Sequence, residues 1–131
     1  MIGRRAFLSA LFGLLGIAVL GLMLDASQAA QSFDAAKFDA AQQEGKAILV
    51  EVTAPWCPTC KAQKPTLQSI QTERPDLVVF EVDFDTKKDL LQRFGVRSQS
   101  TLIVFKGARE INRSTGVTDP AQIRKQIAAA F

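Results

Sequence analysis

The stretch Ala47-Ile48-Leu49-Val50-Glu51-Val52-Thr53-Ala54-Pro55-Trp56-Cys57-Pro58-Thr59-Cys60-Lys61 decides how the rest of the chain is read. Its first seven residues are β-rich and apolar apart from one acid. Such continuity marks a strand covered on both faces, as in a parallel or mixed sheet held between helices. Pro58 suits the first position of a helix, so Cys57 falls where the strand gives way to that helix. Cys60 follows one turn further along the same side. At a helix N-terminus the unpaired N–H groups and the dipole favour an anion. A thiol placed there has its pKa lowered from about 8.5 to roughly 3.5–7.5, which gives a thiolate near neutral pH.

Working outward, helix and strand alternate. Residues Ser32 to Glu44 carry Ala35, Phe38 and Ala41 at helical spacing and stop at Gly45. A helix is expected from Pro58 to about Arg74, with Leu67 and Ile70 inward and a kink at Pro65. Leu77 to Phe84 reads as a second strand, Asp85 to Phe94 as a short helix ended by Gly95. Thr101–Phe105 and Glu110–Thr115 form a hairpin around Lys106-Gly107-Ala108-Arg109. Asp119, Pro120 and Gln122 signal a last helix, with Ile123, Ile127 and Phe131 on one face. The right-handed crossover rule makes the 47–53 and 77–84 strands parallel. The fold class is therefore α/β, a layered domain over residues 31–131.

Composition narrows the chemistry. The chain has 131 residues, 47% of them apolar and 22% charged, which is globular rather than disordered. A net charge of +3, with no Lys/Arg cluster, argues against a nucleic-acid surface. There is no histidine, so His-based triads, metal ligands and proton shuttles are excluded. Cys57 and Cys60 are the two cysteines; they cannot staple distant segments or complete a four-cysteine zinc site alone. Redox chemistry, or half of a shared metal site, remains. A domain of about 100 residues buries a core of its own, so the cysteines are free to cycle. In that reading Cys57 attacks a disulfide and Cys60 resolves the mixed disulfide, with Pro58 and Thr59 as tuning residues.

Residues 1–30 read as an address. Arg4 and Arg5 precede an uncharged apolar run over 6–24 and then the small residues Ala26-Ser27-Gln28-Ala29-Ala30. This is the pattern of an export signal, with a cut between Ala29 and Ala30, or of a membrane anchor helix, for which about 18 apolar residues suffice. Either way the remainder is expected in the periplasm or otherwise outside the cytoplasm. Arg4-Arg5-Ala6-Phe7-Leu8 also resembles a twin-arginine signal.

The 48–61 stretch, Pro65 five residues beyond the second cysteine, Phe94-Gly95-Val96-Arg97-Ser98, Thr101-Leu102-Ile103-Val104-Phe105 and Gly116 together resemble the thioredoxin family. The likeness covers about 33–131 and implies a thioredoxin-like fold and dithiol–disulfide exchange with protein thiols and disulfides. By the same likeness Cys57 is the nucleophile, Cys60 the resolving thiol and Trp56 a wall of the site. Glu51 stands at the position of the family's buried acid, which takes the proton from the resolving cysteine. No cofactor or metal is implied beyond the Cys57–Cys60 couple. A monomer is expected, with a membrane redox partner if it works as a reductant.

Three departures matter. Ser100, after Gln99, replaces the family's cis-proline, so a trans bond and a reshaped substrate-pairing loop at Gln99 and Ser100 are expected. Glu81 stands where the family often has a lysine; it either raises the pKa of Glu51 or simply faces solvent. The chain before residue 33 leaves no room for an opening strand, which predicts a mixed sheet of about four strands. Two other functions compete with the enzyme: a metal or iron–sulfur module built from the exposed cysteine pairs of two chains, and a redox-inert peptide-binding adaptor.

Overall fold

The computed structural model describes residues 29–131, and the expected signal or anchor segment, residues 6–24, lies outside them. The elements are β1 (Gln31–Ser32), α1 (Ala35–Gln43), β2 (Ala47–Thr53), α2 (Pro58–Glu73), β3 (Val78–Asp83), α3 (Lys88–Phe94), β4 (Thr101–Lys106), β5 (Arg109–Thr115) and α4 (Pro120–Ala128). They form one mixed sheet in the order β1-β3-β2-β4-β5. β1, β3 and β2 are parallel, and β4 runs antiparallel to both β2 and β5.

Alternation along the strands explains the two layers. Ile48, Val50 and Val52 of β2 face a core shared with Phe38, Phe80, Leu91, Ile103 and Phe105, beneath α1 and α3. Phe38 sits at its centre, with ring centroids 5.2 to 5.8 Å from those of Phe33, Phe80, Phe94 and Phe105. Ala47 and Leu49 face the opposite core, with Leu67, Ile70, Val79, Leu102, Ile123 and Ile127 beneath α2 and α4. Glu51 has the parity of Leu49, so its carboxylate is carried under α2 and buried there.

The sheet has a fifth strand where about four were expected. β1 is two residues long, too short to show any periodicity. It is held because Gln31 and Ser32 pair with Phe80 and Glu81, and the Phe33 N–H continues the ladder to the Glu81 carbonyl at 2.9 Å. The first helix consequently begins at Ala35 rather than near Ser32, capped by Asp34, whose Oδ1 accepts from the Lys37 N–H at 2.9 Å. The third helix begins at Lys88 rather than Asp85, because the Asp83 carboxylate accepts from the N–H groups of Asp85 and Thr86 at 2.8 and 2.9 Å and holds them in a turn. α2 runs unbroken from Pro58 to Glu73 with Pro65 inside it on the exposed side. These elements bring the ends of β2, β3 and β4 around the start of α2.

Candidate active site

Cys57 caps α2: its Sγ accepts the Cys60 N–H at 3.1 Å, and its own N–H bonds the Ala54 carbonyl at 3.2 Å. Cys57 and Cys60 are joined as a disulfide with their Cα atoms 5.3 Å apart. The helix start anticipated from sequence is therefore where the sulfurs sit. Their exposure differs from expectation: in the disulfide form Cys57 is 0% and Cys60 1% exposed. A metal site shared between two chains needs two accessible, separate thiolates per chain, and this buried, bonded pair presents none.

Ser100 closes over the pair. Its Oγ lies 3.1 Å from Cys57 Sγ and 3.2 Å from Cys60 Sγ. No peptide among the described residues is cis, and Ser100 instead takes φ +61°, a left-handed conformation that is uncommon outside glycine, asparagine and aspartate. Its N–H donates to the Val52 carbonyl at 2.9 Å, and its carbonyl accepts from the Gly116 N–H at 3.0 Å and Gln63 Nε2 at 3.3 Å. Both backbone groups of Ser100 are thus used inside the chain. The neighbouring Gln99 is half-buried and remains at the surface beside it.

Beneath the cysteines lies a charged cluster. The parallel register sets Glu51 of β2 opposite Glu81 of β3. Lys64 of α2 reaches between them, with Nζ 3.4 Å from Glu51 Oε1 and 2.5 Å from Glu81 Oε1. Burial pushes the Glu51 carboxyl above its ordinary range; Lys64 pulls it back and Glu81 adds to the rise. Burial depresses the Lys64 ammonium, but its bond to Glu81 and the nearby charge of Glu51 outweigh that and hold it above the usual lysine value. Of the two expectations for Glu81, the structure gives an intermediate: it is half-buried, and its effect on Glu51 is smaller than that of burial. One cleft lined by Thr53, Pro55, Lys61, Lys64 and Glu81 reaches Cys60. A second, lined by Ala30, Glu51, Lys64, Gln71 and Glu81, reaches the acid. Lys64 and Glu81 border both.

The rest of the rim is apolar and exposed. Trp56 is 55% exposed, with its indole N–H held by Asp85 Oδ2 at 2.8 Å. Pro55 and Pro58 are exposed and Thr59 half-buried around the disulfide. Sequence reading missed Lys64, Gln63 and Asp85. Lys64 and Gln63 had a signal: they lie four and three residues after Cys60, so a helix turns them toward the same side. Gln63 is moreover fully buried, donating to the Val117 carbonyl at 2.8 Å as well as to the Ser100 carbonyl. Asp85 had none, being a tertiary neighbour of Trp56 across 29 residues.

Comparison with known proteins places this geometry. Residues 29–129 match the family model described as Thioredoxin. The thioredoxin of Chlamydia muridarum is 36% identical over 80 residues, 61% of this chain and 78% of that protein. Thioredoxin-2 of Saccharomyces cerevisiae is 33% identical over 96 residues, 72% of this chain and 91% of its own length. The crystal structure of Trxlp from Edwardsiella tarda EIB202 matches with a TM-score of 0.71 at 40% identity, covering 76% of this chain and 98% of that one.

Proposed function

Since the chain belongs to the thioredoxin family and is a thiol–disulfide oxidoreductase acting on protein disulfides, we propose that it works outside the cytoplasm as a reductant. The observation that carries the catalytic assignment is the Cys57–Cys60 disulfide at the head of α2, with the first sulfur in the capping position. In the reduced state the Cys57 thiolate attacks one sulfur of a substrate disulfide. The Cys57–substrate bond forms, the substrate S–S bond breaks, and one substrate thiolate leaves. Glu51 takes the Cys60 proton. The Cys60 thiolate then attacks Cys57 Sγ, releasing the second substrate thiolate and forming the disulfide seen here. Two electrons have passed from the chain to the substrate. Trp56, Pro58, Thr59 and Gln99 wall the approach.

The export reading is supported by the paired arginines, apolar run and small-residue end of residues 1–30. The reducing direction is supported by the short βαβ unit, in which α2 leads to β3 with no inserted helical domain. Outside the cytoplasm such a reductant needs two electrons per cycle from a dithiol partner in the membrane. Equilibration of the full chain with glutathione buffers tests the direction. A potential near about −270 mV is expected for a reductant, and one near about −120 mV marks an oxidant and overturns the reading. Fusing residues 1–30 to a reporter tests the address; a reporter retained in the cytoplasm overturns it.

A further inference from the structure

The Ser100 hydroxyl is buried and touches both sulfurs, and among the described residues it has no other hydrogen-bond partner. Disulfide sulfurs carry no proton, so in this state the hydroxyl is the donor. A neutral disulfide sulfur is a weak acceptor, whereas a thiolate is charged and accepts strongly. The same contact therefore gains strength when the bond is reduced. We propose that Ser100 is a catalytic residue: its O–H is a movable donor that serves whichever sulfur of the pair carries the negative charge.

The placement fits that role. Oγ is nearly equidistant from the two sulfurs, so rotation about one bond redirects the proton without moving the backbone. The backbone is fixed by its bonds to Val52, Gly116 and Gln63. Ser100 also keeps a left-handed φ that costs a non-glycine residue stability, and it buries a hydroxyl whose partners among the described residues are both sulfur. Two local costs at one residue in contact with the reacting atoms mark a functional position.

During exchange, the hydroxyl donates to the Cys57 thiolate before attack. When the cycle runs toward the dithiol, an incoming thiolate bonds to Cys57 Sγ, the Cys57–Cys60 bond breaks, and the electron pair leaves on Cys60. The hydroxyl then donates to that leaving thiolate, which finally takes a proton. Ser100 itself keeps its proton throughout. Because the thiolate is stabilised more than the disulfide, the hydroxyl also makes the chain easier to reduce. The inference rests on dithiol–disulfide exchange and not on its direction in the cell.

The test compares the full chain with Ser100→Ala and Ser100→Gly by two readouts. The first is the pH midpoint of Cys57 alkylation in the reduced protein; the second is the equilibrium constant with glutathione. Both variants lack the hydroxyl, while glycine additionally relaxes the positive φ and leaves more space, so a failure of one to fold leaves the other. Glu51, Lys64 and Glu81 are common to all three proteins and cancel in the comparison. Losing one bond to a charged group predicts a midpoint raised by about one pH unit and an equilibrium shifted about tenfold toward the disulfide, or about 30 mV more negative. Wild-type values in either folded variant would overturn the proposal and leave Ser100 a filler of space. A reduction potential that makes the wild type an oxidant would sink the proposed direction and leave this inference standing.

Discussion

Replacing Lys64 by methionine keeps an unbranched apolar stem under α2 and removes the cation shared by Glu51 and Glu81. Two unit charges 4 Å apart attract by about 4 kcal/mol at an effective dielectric near 20 and by about 1 kcal/mol in bulk water. The Lys64 side chain is 37% exposed, so solvent screening moves the pairs toward the lower figure. Releasing the ordered lysine also returns up to about 2 kcal/mol of rotamer entropy. The expected net loss is about 1–2 kcal/mol near pH 7.5. The loss should be smaller near pH 4, because Glu51, held above its ordinary value of 4.5, is then protonated. Urea unfolding of the oxidised protein at the two pH values measures this, and the disulfide keeps the cysteines from titrating. An equal loss at both values would refute the charge argument and reduce Lys64 to packing.

Other consequences follow from the same geometry. A carboxyl whose pKa is raised by folding subtracts stability once it ionises, so Glu51→Gln should be more stable than wild type near pH 8, with the gain gone near pH 4. Chemical denaturation across that range checks the sign, and an unchanged or lower stability at pH 8 contradicts it. Gly107 stands at φ +57° in the β4–β5 turn, and a Cβ there would lie 3.2 Å from the Gln42 carbonyl oxygen. Gly107→Ala should therefore cost about 2 kcal/mol, read as a drop in Tm; a Tm within error of wild type would show that the turn yields. Phe38→Ala removes the ring at the centre of the aromatic cluster and should cost about 3–5 kcal/mol in urea. A loss below about 1 kcal/mol would mean that the cluster closes over the gap.

Much of this was readable before any coordinates. Continuous apolarity in β2 gave a strand covered on both faces, though which layer Glu51 enters was seen only in the structure. The position of Cys57 at a strand-to-helix junction was equally plain, because Pro58 fits only the start of a helix there. What stayed hidden depends on distance in the sequence. That Glu81 lies opposite Glu51 is set by how β3 slides against β2, and no local pattern encodes that register. The lysine missing from β3 is supplied by the helix above it, at Lys64, a substitution visible only once α2 is laid across both strands. β1 and the Asp83 turn failed for a different reason: two-residue pairing and side-chain capping leave no periodic trace.

The oxidised site presents no sulfur to solvent, and Ser100 stands against both atoms of the bond. Exchange requires a thiolate to come in along the S–S axis, so a small dissolved thiol such as glutathione reaches the bond slowly and equilibrates with it only over a long incubation. A protein that can engage the Trp56 rim can force the approach. The oxidised form is thereby expected to exchange slowly with small thiols and faster with a protein that docks, whichever way the electrons run. Selectivity of this kind needs no shaped pocket; it resides in the threshold a visitor must overcome before any bond is made.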